Sequence, residues 1–125
     1  MNTSKSEEMS YVLLAERFGA DDILRQYKSK EYPFACDFYI KSRKTYIECN
    51  YCWTHGQHPF DLSSDADVSK LEHWKSKGTK YYMNAVDTWT RRDVNKRNAA
   101  MNAKLNYYAF YDFDDFCTWL ECSTF

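Results

Sequence analysis

A chain of 125 residues with a net charge of −1 has the size of one ordinary domain and lacks the basic excess by which many nucleic-acid-binding domains are recognised. Leu, Ile, Val and Phe number only 22 of 125, a share that by itself suggests disorder. The near-zero charge and the eight Phe, four Trp and eleven Tyr overrule that inference, because large rings bury much area per residue; a single folded domain over residues 1–125 with an aromatic-rich core is expected.

In chain order, Ser4 followed by Glu7 forms a capping box for a helix from Glu7 to Phe18, with Gly19 as its stop. Ile23 to Tyr27 reads as a short strand. After Pro33, residues Ala35 to Ile40 alternate, with Cys36, Phe38 and Ile40 on one side and Ala35, Asp37 and Tyr39 on the other. A polar turn, Lys41 to Lys44, leads into a second strand from Thr45 to Asn50, which puts Tyr46, Glu48 and Asn50 on one face and Ile47 and Cys49 on the other. A loop rich in His, Gly and Pro runs from Tyr51 to Ser64. A helix from Ser64 or Asp65 to Gly78 follows, then a helical turn or two over Tyr82 to Trp89. Thr90 and Asp93 suggest an N-cap pair for a helix from Arg91 to Leu105. Asn106 to Tyr111 is an aromatic strand, and Asp112 to Glu121 a last short helix. This order fits a mixed sheet flanked by helices, an α/β (α+β) architecture.

The opening residues MNTSKSEEMS hold no apolar signal core, and no stretch is long enough to span a membrane. Five cysteines, an odd number and partly within strands, suit reduced thiols. A cytoplasmic protein without membrane partners is the expectation. The charge is also uneven: Arg91, Arg92, Lys96, Arg97 and Lys104 face one acid, Asp93, over residues 91–104, whereas Asp112, Asp114, Asp115 and Glu121 have no basic neighbour over 112–121. A neutral chain can thus still present one basic face.

The chemistry rests on the hairpin. Asp37 on its first strand and Glu48 on its second can face each other across strands about 5 Å apart, close enough to share one hard cation. Magnesium prefers such oxygen ligands. Two acids on a solvated face are the competing interpretation. The spacing D–x10–E–x–N resembles the core motif of the PD-(D/E)XK nucleases, with Asn50 where those enzymes usually carry lysine. The stretch CDFYIKSRKTYIECNYCWTHGQHPFD (36–61) and the later WTRRDVNKRNAAMNAKLNYYAFY (89–111) are similar to the very short patch repair endonucleases of that superfamily and to small endonucleases of phages and mobile elements. The resemblance covers roughly residues 7–111 and implies a restriction-endonuclease-like fold and a Mg2+-dependent (or Mn2+-dependent) endonuclease acting on DNA. The repair enzymes have Thr at the place of Glu48 and His at that of Cys49, and their structural zinc set is not matched, so a role in mismatch repair does not carry over.

On this reading Asp37 and Glu48 bind the metal, Asn50 orients water or backbone, and His55, in the segment matching the family's His-rich loop, handles a proton. An imidazole can take a proton from water or give one to a leaving oxygen. His58 is a second candidate for that role. Glu16 would supply the carboxylate that many superfamily members place on the first helix. Lys70, Lys75, Arg91, Arg92, Lys96 and Arg97 are candidate phosphate contacts. Trp53 and Trp89 are candidates for wedging or stacking on bases, with aromatic core packing as the default for both. Double-strand cleavage by so small a chain would call for a homodimer. Two rivals stay open. One is a nuclease-fold binding module, for DNA or protein, that has lost its chemistry. The other is a zinc-stabilised interaction domain using Cys49, Cys52, His55 and His58, spaced C–x2–C–x2–H–x2–H.

Overall fold

A computed structural model describes residues 4–123. Helix α1 (Lys5–Phe18) opens with Ser4 as N-cap, its hydroxyl accepting from the Glu7 amide at 3.0 Å, and ends at Gly19, whose φ of +95° suits glycine. Strands β1 (Ile23–Tyr27), β2 (Cys36–Ile40) and β3 (Thr45–Cys49) form an antiparallel meander. Helices α2 (Asp65–Ser76), α3 (Lys80–Asp87) and α4 (Asp93–Asn102) then cross over to β4 (Asn106–Phe110), which pairs in parallel with β3. Helix α5 (Phe113–Cys122), capped by the Asp112 carboxylate, closes the order. The result is a four-stranded mixed sheet, β1-β2-β3-β4, flanked by helices. A crossover of helices is what a parallel strand pair requires.

Three apolar clusters hold the elements. Phe38, Ile40 and Ile47 from one sheet face pack with Leu14 of α1 and Phe116 and Leu120 of α5. On the other face Tyr46 meets Tyr32 and Ala100 of α4. Leu71, Trp74, Ala85, Val86 and Trp89 form a helical cluster of their own. The aromatic-rich core expected from composition is present: Trp89, Tyr32, Phe38 and Phe116 are fully buried. No helix among the described residues is long and apolar enough to cross a membrane.

One expected boundary does not form. Thr90 caps no helix; its hydroxyl donates to the Val86 carbonyl at 2.6 Å, and residues Thr88–Arg92 form a π-helical turn that runs α3 directly into α4. The wider turn seats Trp89 in the core, with its indole N–H donating to the His58 carbonyl at 2.8 Å. Such widened turns recur at functional sites, and this one carries Arg91 and Arg92 to a cleft.

Candidate functional site

The ladder between β2 and β3 runs through Ile40–Thr45, Tyr39–Tyr46 and Phe38–Ile47. Continued one rung further, the register sets Asp37 opposite Glu48. There the carboxylates replace the backbone acceptors: Asp37 N–H donates to Glu48 Oε1 at 3.2 Å, and Cys49 N–H donates to Asp37 Oδ2 at 2.8 Å. The strands part at this rung, and both acids line one cleft of about 600 Å³. They share a face and a space, as their strand parity led us to expect.

Glu48 is 2 % exposed. The Tyr32 hydroxyl donates to its Oε2 at 2.5 Å, and the Lys96 ammonium stands 3.5 Å from the same oxygen. Burial raises the Glu48 carboxyl above the ordinary carboxylate range, and the Asp37 charge adds to the rise, while Lys96 and the Tyr32 hydrogen bond oppose it. On β1, Gln26 has φ +51°, a left-handed conformation that costs an L-residue about 1 kcal/mol. Its amide reaches Asp37 Oδ1 at 3.5 Å.

A third carboxylate joins the pair. Glu7, from the first turn of α1, lines the same cleft and is pushed up from its ordinary 4.5 to about 7, first by desolvation and then by the Asp37 charge. Among the described residues its Oε2 is the buried side-chain oxygen left without a hydrogen-bond partner, and the Arg25 guanidinium stands 3.8 Å away. Glu16, the helix acid expected from the sequence, is exposed on α1 and does not line the cleft. The capping box masked Glu7. Its backbone N–H serves the cap, and its side chain is turned to other work.

The other candidates separate into two groups. His55, Asn50, Arg91, Arg92 and Lys96 line the cleft with the acids. His55 Nδ1 pairs with Asp93 Oδ2 at 2.6 Å, which fixes the ring and leaves Nε2 for a further partner. Asn50 is buried, its N–H donating to the Phe110 carbonyl at 2.8 Å. Arg91 and Arg92 are exposed and share Asp87 as their carboxylate partner. The remaining candidates lie outside the cleft. His58 Nε2 pairs with the buried Asp67 at 2.6 Å. Lys70 donates to the Gly56 carbonyl at 3.1 Å and lies over the Trp89 ring. Trp53 packs against Trp74, Tyr81 and Tyr82, and Trp89 is core. Lys75 is exposed on α2, and Arg97 lines a neighbouring cavity. The four residues of the zinc alternative have separate surroundings: His55 is with Asp93, His58 with Asp67, Cys49 beside Tyr51 and Ser10, and Cys52 exposed.

Among the described residues no three His, Cys, Asp or Glu side chains are grouped as a ready-made metal cage. Magnesium asks for less: one or two carboxylates, with water filling the remaining positions. The facing Asp37 and Glu48 match that donor set, and the Glu7 oxygen that lacks a hydrogen bond, with only the Arg25 ion pair at 3.8 Å, is a further group that a cation would satisfy. No family model matches the chain, and neither a curated protein nor a solved structure is found similar to it.

Proposed function

We propose that the chain is a metal-dependent DNA endonuclease with a restriction-endonuclease-like fold of the PD-(D/E)XK kind. The observation that carries this reading is the rung where β2 and β3 part, with Asp37 and Glu48 facing one cleft and the Lys96 ammonium 3.5 Å from Glu48. Asp37 and Glu48 would hold Mg2+ or Mn2+, with Glu7 close by. A bound ion supplies Lewis-acid polarisation of the phosphate and a more acidic water.

The protein's own groups do the rest. Tyr32 pins Glu48 so that its carboxylate stays aimed at the cleft. Lys96 answers the absence of lysine at position 50: a cation arrives from α4 instead of from β3. Standing beside Glu48, it stabilises negative charge that develops on the phosphate. His55, oriented by Asp93, holds or takes a proton at Nε2. Arg91 and Arg92 can exchange Asp87 for a phosphate oxygen, which binds the backbone without reading sequence. Asn50 acts as a buried positioning group between β3 and β4.

The test is incubation of supercoiled plasmid with the purified chain and Mg2+. Nicked or linear product that disappears with chelator supports the reading. Intact plasmid across a range of Mg2+ and Mn2+ concentrations would favour a nuclease-fold binding module without chemistry.

A further inference from the structure

A second cavity, of about 340 Å³, adjoins the carboxylate cleft and shares two wall residues with it, Asn50 and Asp93. Its lining is mostly carbon, with Phe60, Val94, Leu105 and the rings of Tyr107 and Tyr111. Two cations, Arg97 and Lys104, also line it, and neither is held by a salt bridge among the described residues. Other polar groups on its wall are the Asn50 carboxamide, the Asp93 carboxylate and the hydroxyls of Tyr107 and Tyr111.

These features select a ligand class. The volume is at the small end of ligand pockets, which span roughly 300–1,000 Å³, and admits one planar ring system rather than a folded peptide segment. Aromatic walls favour a flat π-face, the carboxamide and phenol favour polar ring edges, and the two cations without a salt bridge favour an attached anion. A nucleobase on its sugar–phosphate meets all three conditions. The shared wall adds a positional reason. The two shared residues put the cavity beside the cleft, so a strand with a phosphate in the cleft would have a neighbouring base next to this cavity.

We propose that the cavity holds one unstacked base of the DNA strand whose phosphate lies in the carboxylate cleft. This rests on the nuclease reading above and deepens it: a base inside a duplex cannot enter, so the preferred substrate is single-stranded or locally opened DNA.

The test measures binding of short single-stranded oligonucleotides to the full chain carrying Asp37→Ala, which keeps the strand intact. Each oligonucleotide has one base removed to leave an abasic site, and the gap is moved along the strand. One position should weaken binding about tenfold, the size expected for losing a base stacked on protein rings. Adding Val94→Trp, which fills the cavity, should weaken the intact strand to the same degree and abolish the dependence on that position. Met101→Trp, at a lining residue that is 66 % exposed and so safe for folding, should act in the same direction. A scan with no position worth more than twofold overturns the proposal, as does undiminished, still base-dependent binding by the filled variants. Cleavage by the parent chain with Mg2+ is measured in parallel. Cleavage without a base-dependent position refutes the pocket and leaves the nuclease reading standing; base dependence without cleavage does the reverse.

Discussion

Replacing Glu7 with Gln removes one charge from the carboxylate cluster and keeps its shape. In the metal-free chain the Glu7 carboxyl sits at about 7 instead of 4.5, because burial and the Asp37 charge disfavour its ionised form. Its folded value is raised, so the associated stability is fully present below pH 4.5 and is lost as pH climbs from 4.5 to about 7. At roughly 1.4 kcal/mol for each pH unit, the loss amounts to about 3 kcal/mol. The Glu7 side chain keeps partial solvent contact, so screening trims this figure and it is an upper bound. Glu7→Gln should therefore be more stable than the parent above pH 7 by up to about 3 kcal/mol, with the two converging towards pH 4.5. Urea unfolding in the presence of chelator, repeated from pH 4.5 to 8, reads this directly. Saturating Mg2+ should shrink or reverse the gap, because a cation favours the ionised parent. Parallel stability curves at every pH would refute the electrostatic account of Glu7.

Other consequences follow from the same geometry. Lys96→Met should lower Mg2+-dependent cleavage by about a hundredfold or more, the scale of a lost acid–base or charge-stabilising group, with Lys96→Arg retaining part of the rate. His55→Ala should slow cleavage by about ten- to a hundredfold while Mn2+ binding, followed by paramagnetic resonance, stays unchanged; Asp93→Asn should show the same pattern more weakly. Gly56→Ala should destabilise the fold by about 2–4 kcal/mol, because Gly56 has φ +73° and an added Cβ would come within 2.1 Å of the Trp89 indole. Thermal unfolding checks it, and a loss under 1 kcal/mol would mean that the indole yields.

The period-two alternation around Asp37 and Glu48 made the strand pair, and the shared face of the two acids, legible in the sequence. Asn106–Tyr111 was recognised as a strand by its run of rings, and β4 duly pairs beside β3. Nonlocal features were hidden. Nothing in the spacing says that Tyr32, 16 residues before Glu48, reaches that carboxylate, or that Lys96 on a distant helix supplies the cation. Glu7 went unnoticed as a cleft acid because the same residue also completes the helix cap, whereas Glu16 lies exposed outside the cleft. The Thr90 boundary failed because a hydroxyl that resembles an N-cap can instead bond the carbonyl four residues back inside a continuous helix. His55 and His58 look alike in the loop, and each has found a carboxylate; only the partner's location separates them, Asp93 at the cleft and Asp67 away from it.

The most direct test of the central claim compares plasmid cleavage by the parent and Asp37→Ala chains, purified in parallel and supplied with the same Mg2+. Asp37 faces Glu48 and also caps the Cys49 amide, so circular dichroism of the variant confirms that the sheet is intact before the rates are compared. The expected result is metal-dependent cleavage by the parent and none by the variant. Cleavage by Asp37→Ala at the parent's rate would contradict the assignment of this cleft as the active site.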